Sequence, residues 1–162
     1  MNTKLREIIR FFCREYPHKY HLSNARLTKM VFLADWMSAK EYGKQITDIE
    51  WMFDHSGPYS HDVCYEAEKD EQLEVISSIN PDGMRKKQMR LVGRGDTENL
   101  NSEDQKILEE VIQETAPFFW NDFIRYIYNT EPILQVTRYE HLDLESIAKS
   151  LKSELGQKLL SA

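Results

Sequence analysis

His55, His61 and Cys64 fall in one short segment, and His18 and His21 add two further nitrogen donors upstream. Zinc needs three or four convergent nitrogen or sulfur ligands, ordinarily in paired short spacings. Only His61-Asp62-Val63-Cys64 has such a spacing, and on one helix it offers two ligands at most. These residues read as loop histidines and a cysteine on a helix face, so no metal and no other cofactor is expected. Asp54-His55-Ser56 sets the three residue types of a hydrolytic triad side by side. A triad, however, is assembled from separate segments whose side chains converge, whereas successive strand residues point to opposite faces. The chain carries no glycine-flanked nucleophile, P-loop or dinucleotide fingerprint, and Gly93-Arg94-Gly95 is too short for a phosphate loop. Catalysis is not expected.

Charge is the other candidate chemistry. Arg85, Lys86, Lys87, Arg90 and Arg94 make one segment basic, while Asp62–Glu74 and Glu103–Glu114 are acidic. Such runs are ordinarily solvated faces. The sharper reading is an electrostatically polarised surface that docks a protein partner. Arg85, Lys87 and Arg90 are candidate contacts, as are Tyr59 and His61, which follow the Gly57-Pro58 break. RNA binding through the basic segment is a competing reading, but no aromatic stacking motif accompanies it. Phe118-Phe119-Trp120 and the tyrosines flanking Ile127 cannot all face one core, and any left exposed are natural interface anchors.

The elements that position these residues follow from periodicity. Leu5, Ile8, Ile9, Phe12, Cys13 and Tyr16 mark one helical face, stopped at Pro17. Ser23 and Asn24 are candidate N-caps for a second helix, about Arg26 to Tyr42, whose apolar residues wrap most of its circumference. That pattern predicts a central, nearly buried helix ended by Gly43. Ile49, Trp51 and Phe53 alternate with polar neighbours as a half-buried strand, which Gly57-Pro58 breaks. A short helix is expected from about Tyr59 to Asp70, with Ser60 as a possible cap. Leu73–Ile79 and Lys87–Val92 flank Asn80-Pro81-Asp82-Gly83, a hairpin turn signal. Asn101-Ser102 with Gln105 resembles a capping box, opening a helix through Ile107, Leu108, Val111 and Ile112. An aromatic helix over Trp120–Asn129, ended near Pro132, and a last one through Leu144, Ile147, Ala148, Leu151 and Leu155 complete the chain. The expected fold is α+β, mostly helical, with a small antiparallel sheet of about three strands.

A length of 162 residues suits one ordinary domain, and residues 1–162 are read as such. With 41% hydrophobic and 11% aromatic residues, a core can form. Two cysteines make no disulfide framework, and Met1–Glu7 lacks a leader-like apolar run. No apolar stretch approaches the ~18 residues of a membrane span. A cytoplasmic location, away from any membrane, is expected. The formal net charge of −6 disfavours a nucleic-acid partner, since neutralising phosphates needs net positive surface.

Leu27-Thr28-Lys29-Met30-Val31-Phe32-Leu33-Ala34-Asp35-Trp36 stands out as a unit, followed by Tyr42-Gly43-Lys44-Gln45-Ile46, Trp51 and Gly57-Pro58-Tyr59-Ser60-His61-Asp62-Val63. This pattern resembles the Panacea antitoxin domain, a family that includes SocA-like antitoxins and phage-associated GepA-type proteins. The matching positions are Leu27, Lys29, Phe32, Ala34, Gly43, Trp51, Gly57, Pro58 and Val63. The likeness is strong from Arg26 to Val63 and looser beyond Ile79, through Leu100–Val111 and Tyr128–Pro132. Tyr59 departs from it, standing where many members carry a small aliphatic residue. The resemblance implies an antitoxin that neutralises a cognate toxin, encoded by the adjacent gene, through direct protein–protein binding. It also implies an alternative, an adaptor that delivers the bound toxin to a cellular protease.

Overall fold

The computed structural model describes residues 3–161; Met1 and Asn2, part of the Met1–Glu7 stretch read above, and Ala162 lie outside the described residues. The first apolar face forms α1 (Thr3–Glu15), which buries Leu5, Ile8, Ile9 and Phe12 and gives way to Pro17. After a single 3₁₀ turn over Lys19–His21, the chain enters α2 (Asn24–Tyr42). Its N-cap is Ser23, whose hydroxyl oxygen accepts from the Arg26 N–H at 3.2 Å. Its C-cap is Gly43, at φ +76°, a left-handed conformation that a glycine adopts without Cβ strain. Between the caps, Leu27, Met30, Val31, Phe32, Leu33 and Ala34 are all buried, as the wrapped apolar pattern predicts. The helix also buries Arg26, Lys29 and Asp35.

The strand predicted over Ile49–Phe53 shortens to β1 (Met52–Asp54), and Gly57-Pro58 does not end the sheet but begins its second strand, β2 (Gly57–Tyr59). Gly57 reverses the chain at φ +110°. Pro58, opposite Phe53, is tolerated because β2 is an edge strand, where a missing N–H costs no ladder bond. On its other side β1 meets the segment before the last helix: Phe53 N–H donates to the Glu140 carbonyl at 2.9 Å, and Leu142 N–H donates to the Trp51 carbonyl at 2.9 Å.

Helix α3 (Asp62–Lys69) begins later than predicted, and the Ser60 hydroxyl accepts from the Asp62 N–H at 3.1 Å. Strands β3 (Leu73–Ile79) and β4 (Arg85–Leu91) form the second hairpin, in register Leu73↔Leu91 to Ile79↔Arg85. β4 therefore starts two residues before the predicted Lys87. Its outer edge touches the start of α2, with Met89 N–H donating to the Leu22 carbonyl at 3.0 Å.

Helix α4 (Ser102–Thr115) carries the capping box one residue earlier than the sequence reading placed it: Asn101 pairs reciprocally with Asp104, and Gln105 caps Leu100 instead. Helices α5 (Trp120–Tyr128), α6 (Glu131–Gln135) and α7 (Leu144–Ser161) follow. Pro132 does not stop α5 but sits in the first turn of α6, where its missing N–H has no intrahelical acceptor to lose. Among the described residues there are seven α-helices, with α2 packed against α1, α3, α4 and α7, and the four strands divide into two separate antiparallel hairpins. The fold is α+β and mostly helical.

Candidate functional site

Two concavities of opposite charge carry four of the five sequence-predicted contact residues, all but Arg90. The first, of about 580 Å³, opens beside the β1–β2 hairpin. Tyr59 and His61 form one wall, their rings T-shaped at 5.0 Å with the Tyr59 hydroxyl 3.3 Å from His61 Nδ1. Asp48, Glu50, Asp54 and Asp62 supply its charged lining. Four carboxylates around two aromatic rings favour a cationic side chain over an anion.

Behind the hairpin stands Lys29, 2% exposed and without a carboxylate in ion-pair range among the described residues. Burial pulls its ammonium down to about 8, and Asp54 offsets part of that pull. Gly57 packs beside it: a Cβ there would lie in ordinary contact, 3.5 Å from Tyr128 Cε2 and 3.6 Å from Lys29 Cε, so the glycine is required by its φ of +110° and not by space.

The second concavity, of about 840 Å³, lies where the tip of the β3–β4 hairpin meets the start of α2 and the corner between α4 and α5. Arg85, Lys86 and Lys87 line one side, and Tyr20, Phe119 and Trp120 the other. The three basic residues that the sequence singled out are unequal. Lys87 pairs with Glu68 at 3.0 Å, and Arg90 pairs with Glu74 across the strands at 2.5 Å. Arg85, like its neighbour Lys86, has no ion-pair partner among the described residues.

The floor holds a residue that the sequence reading passed over as a helix start. Arg26 is 2% exposed, and its Nη2 donates to the Tyr16 hydroxyl at 2.7 Å and to the Thr115 and Phe118 carbonyls at 2.9 and 2.8 Å. Its guanidinium stacks over the Phe123 ring at 4.4 Å. Among the described residues its Nε has no hydrogen-bond partner and no carboxylate pairs with its charge.

The structure thus brings Tyr59 and His61 together, and Arg85 and Lys87 together, in separate concavities, while Arg90 lines neither. The aromatic partners that the sequence did not place beside the basic segment are present in three dimensions, contributed by two distant stretches. Their sole signal was the Phe118-Phe119-Trp120 run. Among the described residues, no group of three His, Cys, Asp or Glu is placed to hold a metal ion. Cys64 lies instead against Glu68 and Lys87, while His18 packs on His21 at 5.4 Å. No described helix is long and apolar enough to cross a membrane.

Residues 27–132 match the family model described as Antitoxin SocA-like, Panacea domain. The chain belongs to this family. No curated protein and no solved structure gives a significant match. The Panacea motif positions are architectural here. Leu27, Phe32, Ala34, Trp51 and Val63 are all buried, and Phe32 meets Trp51 edge-on at 5.7 Å. Gly43 caps α2, and Gly57 and Pro58 build the return strand beside Lys29. Within this Panacea domain the exposed, charged features lie around that scaffold, on the hairpins and helix starts.

Proposed function

We propose that this chain is the antitoxin of a two-gene module and neutralises a cognate toxin, the product of the adjacent gene, by binding it directly. The family match over residues 27–132 carries the reading. The surface supports it: two concavities of opposite charge, each bordered by aromatic side chains, are suited to complementary protein docking. The chain acts by occupying a surface and needs no catalytic step of its own. Co-expression tests this. The adjacent gene product alone should arrest growth, this chain should restore it, and the two should co-purify as a complex. A neighbour that is harmless alone, or lethal in the presence of this chain, removes the proposal.

A further inference from the structure

We infer that the basic concavity between the β3–β4 hairpin tip, the start of α2 and the α4–α5 corner receives an acidic peptide segment of the partner protein, studded with aliphatic or aromatic side chains. The inference rests on the antitoxin reading for the identity of the partner, but the chemistry of the groove is independent of it.

Four features converge on a peptide carboxylate. Arg85 and Lys86 stand on the rim without ion-pair partners among the described residues. At the start of α2, the N–H groups of Asn24 and Ala25 have no intrachain acceptor among the described residues, so the positive end of a 19-residue helix opens into the groove. Arg26 lines the floor, nearly fully buried, and among the described residues its Nε is unpartnered and no carboxylate pairs with it. His21 Nδ1, in the same lining, is likewise a buried atom without a partner among the described residues. A buried cation with no counter-charge costs free energy, which an incoming anion would offset.

The apolar half of the occupant follows from the opposite wall. Phe119 is 73% exposed, Tyr20 65% and Met84 64%, and all three border this groove together with Trp120. Methionine adapts its shape to varied side chains, and exposed aromatics clustered at one groove are interface anchors. A nucleic acid fits less well. Tracking a phosphate backbone calls for a row of free cations, and Lys87 is already committed to Glu68.

The test uses the full chain and three fluorescent probes: a short peptide alternating glutamate with leucine and phenylalanine, the same peptide with lysine for glutamate, and an oligouridylate. The acidic peptide should bind, with affinity that weakens as salt is raised. The double charge reversal Arg85→Glu/Lys86→Glu and the double truncation Phe119→Ala/Trp120→Ala should each weaken it by roughly ten-fold or more. The conservative Arg85→Lys/Lys86→Arg pair should retain it; thermal unfolding of the charge variants should match wild type, while Phe119→Ala/Trp120→Ala, which loses the packing of Trp120 on Phe123, should still unfold cooperatively at a lower midpoint. No binding of the acidic peptide, equal binding of the lysine peptide, tighter binding of the oligouridylate, or disruptive double variants that bind like wild type each overturn the inference. The toxin arm separates the two readings. If wild type protects cells and both disruptive variants protect equally well, the groove is not the docking site while the antitoxin reading stands. If wild type fails to protect, the antitoxin reading falls and the peptide measurements alone decide what the groove accepts.

Discussion

The indole N–H of Trp51 donates to Oδ2 of Asp35 at 2.9 Å, tying the middle of α2 to the residue that leads into β1. The same carboxylate accepts from the backbone N–H groups of Ile46 and Thr47 at 3.0 and 2.9 Å and from the Thr47 hydroxyl. Gln45 adds its side-chain amide at 3.3 Å and spans onward to the Ile49 carbonyl at 3.0 Å. One fully buried carboxylate therefore folds the connection after Gly43 and sets where the β1–β2 hairpin stands. The wall formed by Tyr59 and His61 depends on it.

Asp35→Asn should cost about 1–3 kcal/mol at neutral pH, because the amide that replaces one oxygen faces donors it cannot accept from. Burial pushes the Asp35 carboxyl up to about 6 from 3.8, against the pull of its Thr47, Trp51 and Ile46 donors. Between those values the folded chain holds a proton that the unfolded chain releases. The Asp35 contribution is thus full below pH 3.8 and is lost as pH rises through about 6. Urea unfolding across this range should show the gap between wild type and Asp35→Asn narrowing as pH rises, then levelling. A gap independent of pH would contradict the assignment.

Arg10 grips Asp70 with two hydrogen bonds, Nε to Oδ2 at 2.7 Å and Nη2 to Oδ1 at 2.9 Å, and donates from Nη1 to the Asp96 carbonyl at 3.0 Å. Helix α1 is thereby clamped to the end of α3. Arg10→Ala should destabilise by about 3–4 kcal/mol, since it strands a nearly buried carboxylate. Burial alone would push the Asp70 carboxyl up, but the bonds from Arg10 and Gln72 outweigh it and hold it below 3.8. Its contribution is present above 3.8 and lost as pH falls through the depressed value. The stability deficit of Asp70→Asn, measured by thermal unfolding, should accordingly be largest near neutrality and shrink in strong acid.

Most elements were legible because local signals and burial agree. Ser23 and Gly43 bound α2 as read, and its unbroken apolar wrap matches a helix buried along most of its length. Two of the misreadings share one cause: a residue that breaks one element can begin another. Pro132 opens α6, and Gly57-Pro58 begins β2, because a missing N–H is harmless at a helix start or sheet edge. The sites were only half legible. Spacing identifies Arg85 and Lys87 as basic, but pairing of Lys87 with Glu68, some 19 positions away, is a tertiary fact. The convergence of Tyr20, Arg26 and Phe119 on the same groove is another, and no periodicity encodes it.

Two glycines should respond oppositely to alanine. Gly57 has room for a methyl group, with its nearest neighbour at 3.5 Å, but its φ of +110° is strained for any L side chain. Gly57→Ala should therefore cost about 1–2 kcal/mol through the backbone alone. Gly156 lies within α7 and would meet nothing within 4 Å, so Gly156→Ala should gain about 0.5–1 kcal/mol from helix propensity. Denaturant midpoints of the two variants, moving in opposite directions from wild type, check both.

Lys29→Met should stabilise the protein by about 1–2 kcal/mol at neutral pH, because the substitution removes a buried ammonium that has no ion-pair partner among the described residues while keeping an apolar stem of similar length. The lysine is pulled from 10.5 to about 8 by burial, so between those values the folded chain has released a proton that the unfolded chain keeps. Its contribution is full above 10.5 and lost as pH falls through about 8. The advantage of Lys29→Met over wild type should then diminish as pH is raised from 8 toward 10. Lys29 lines neither charged concavity, so the variant should neutralise the toxin as well as wild type does in co-expression. A variant that is more stable yet no longer protective would move Lys29 from the scaffold to the binding surface.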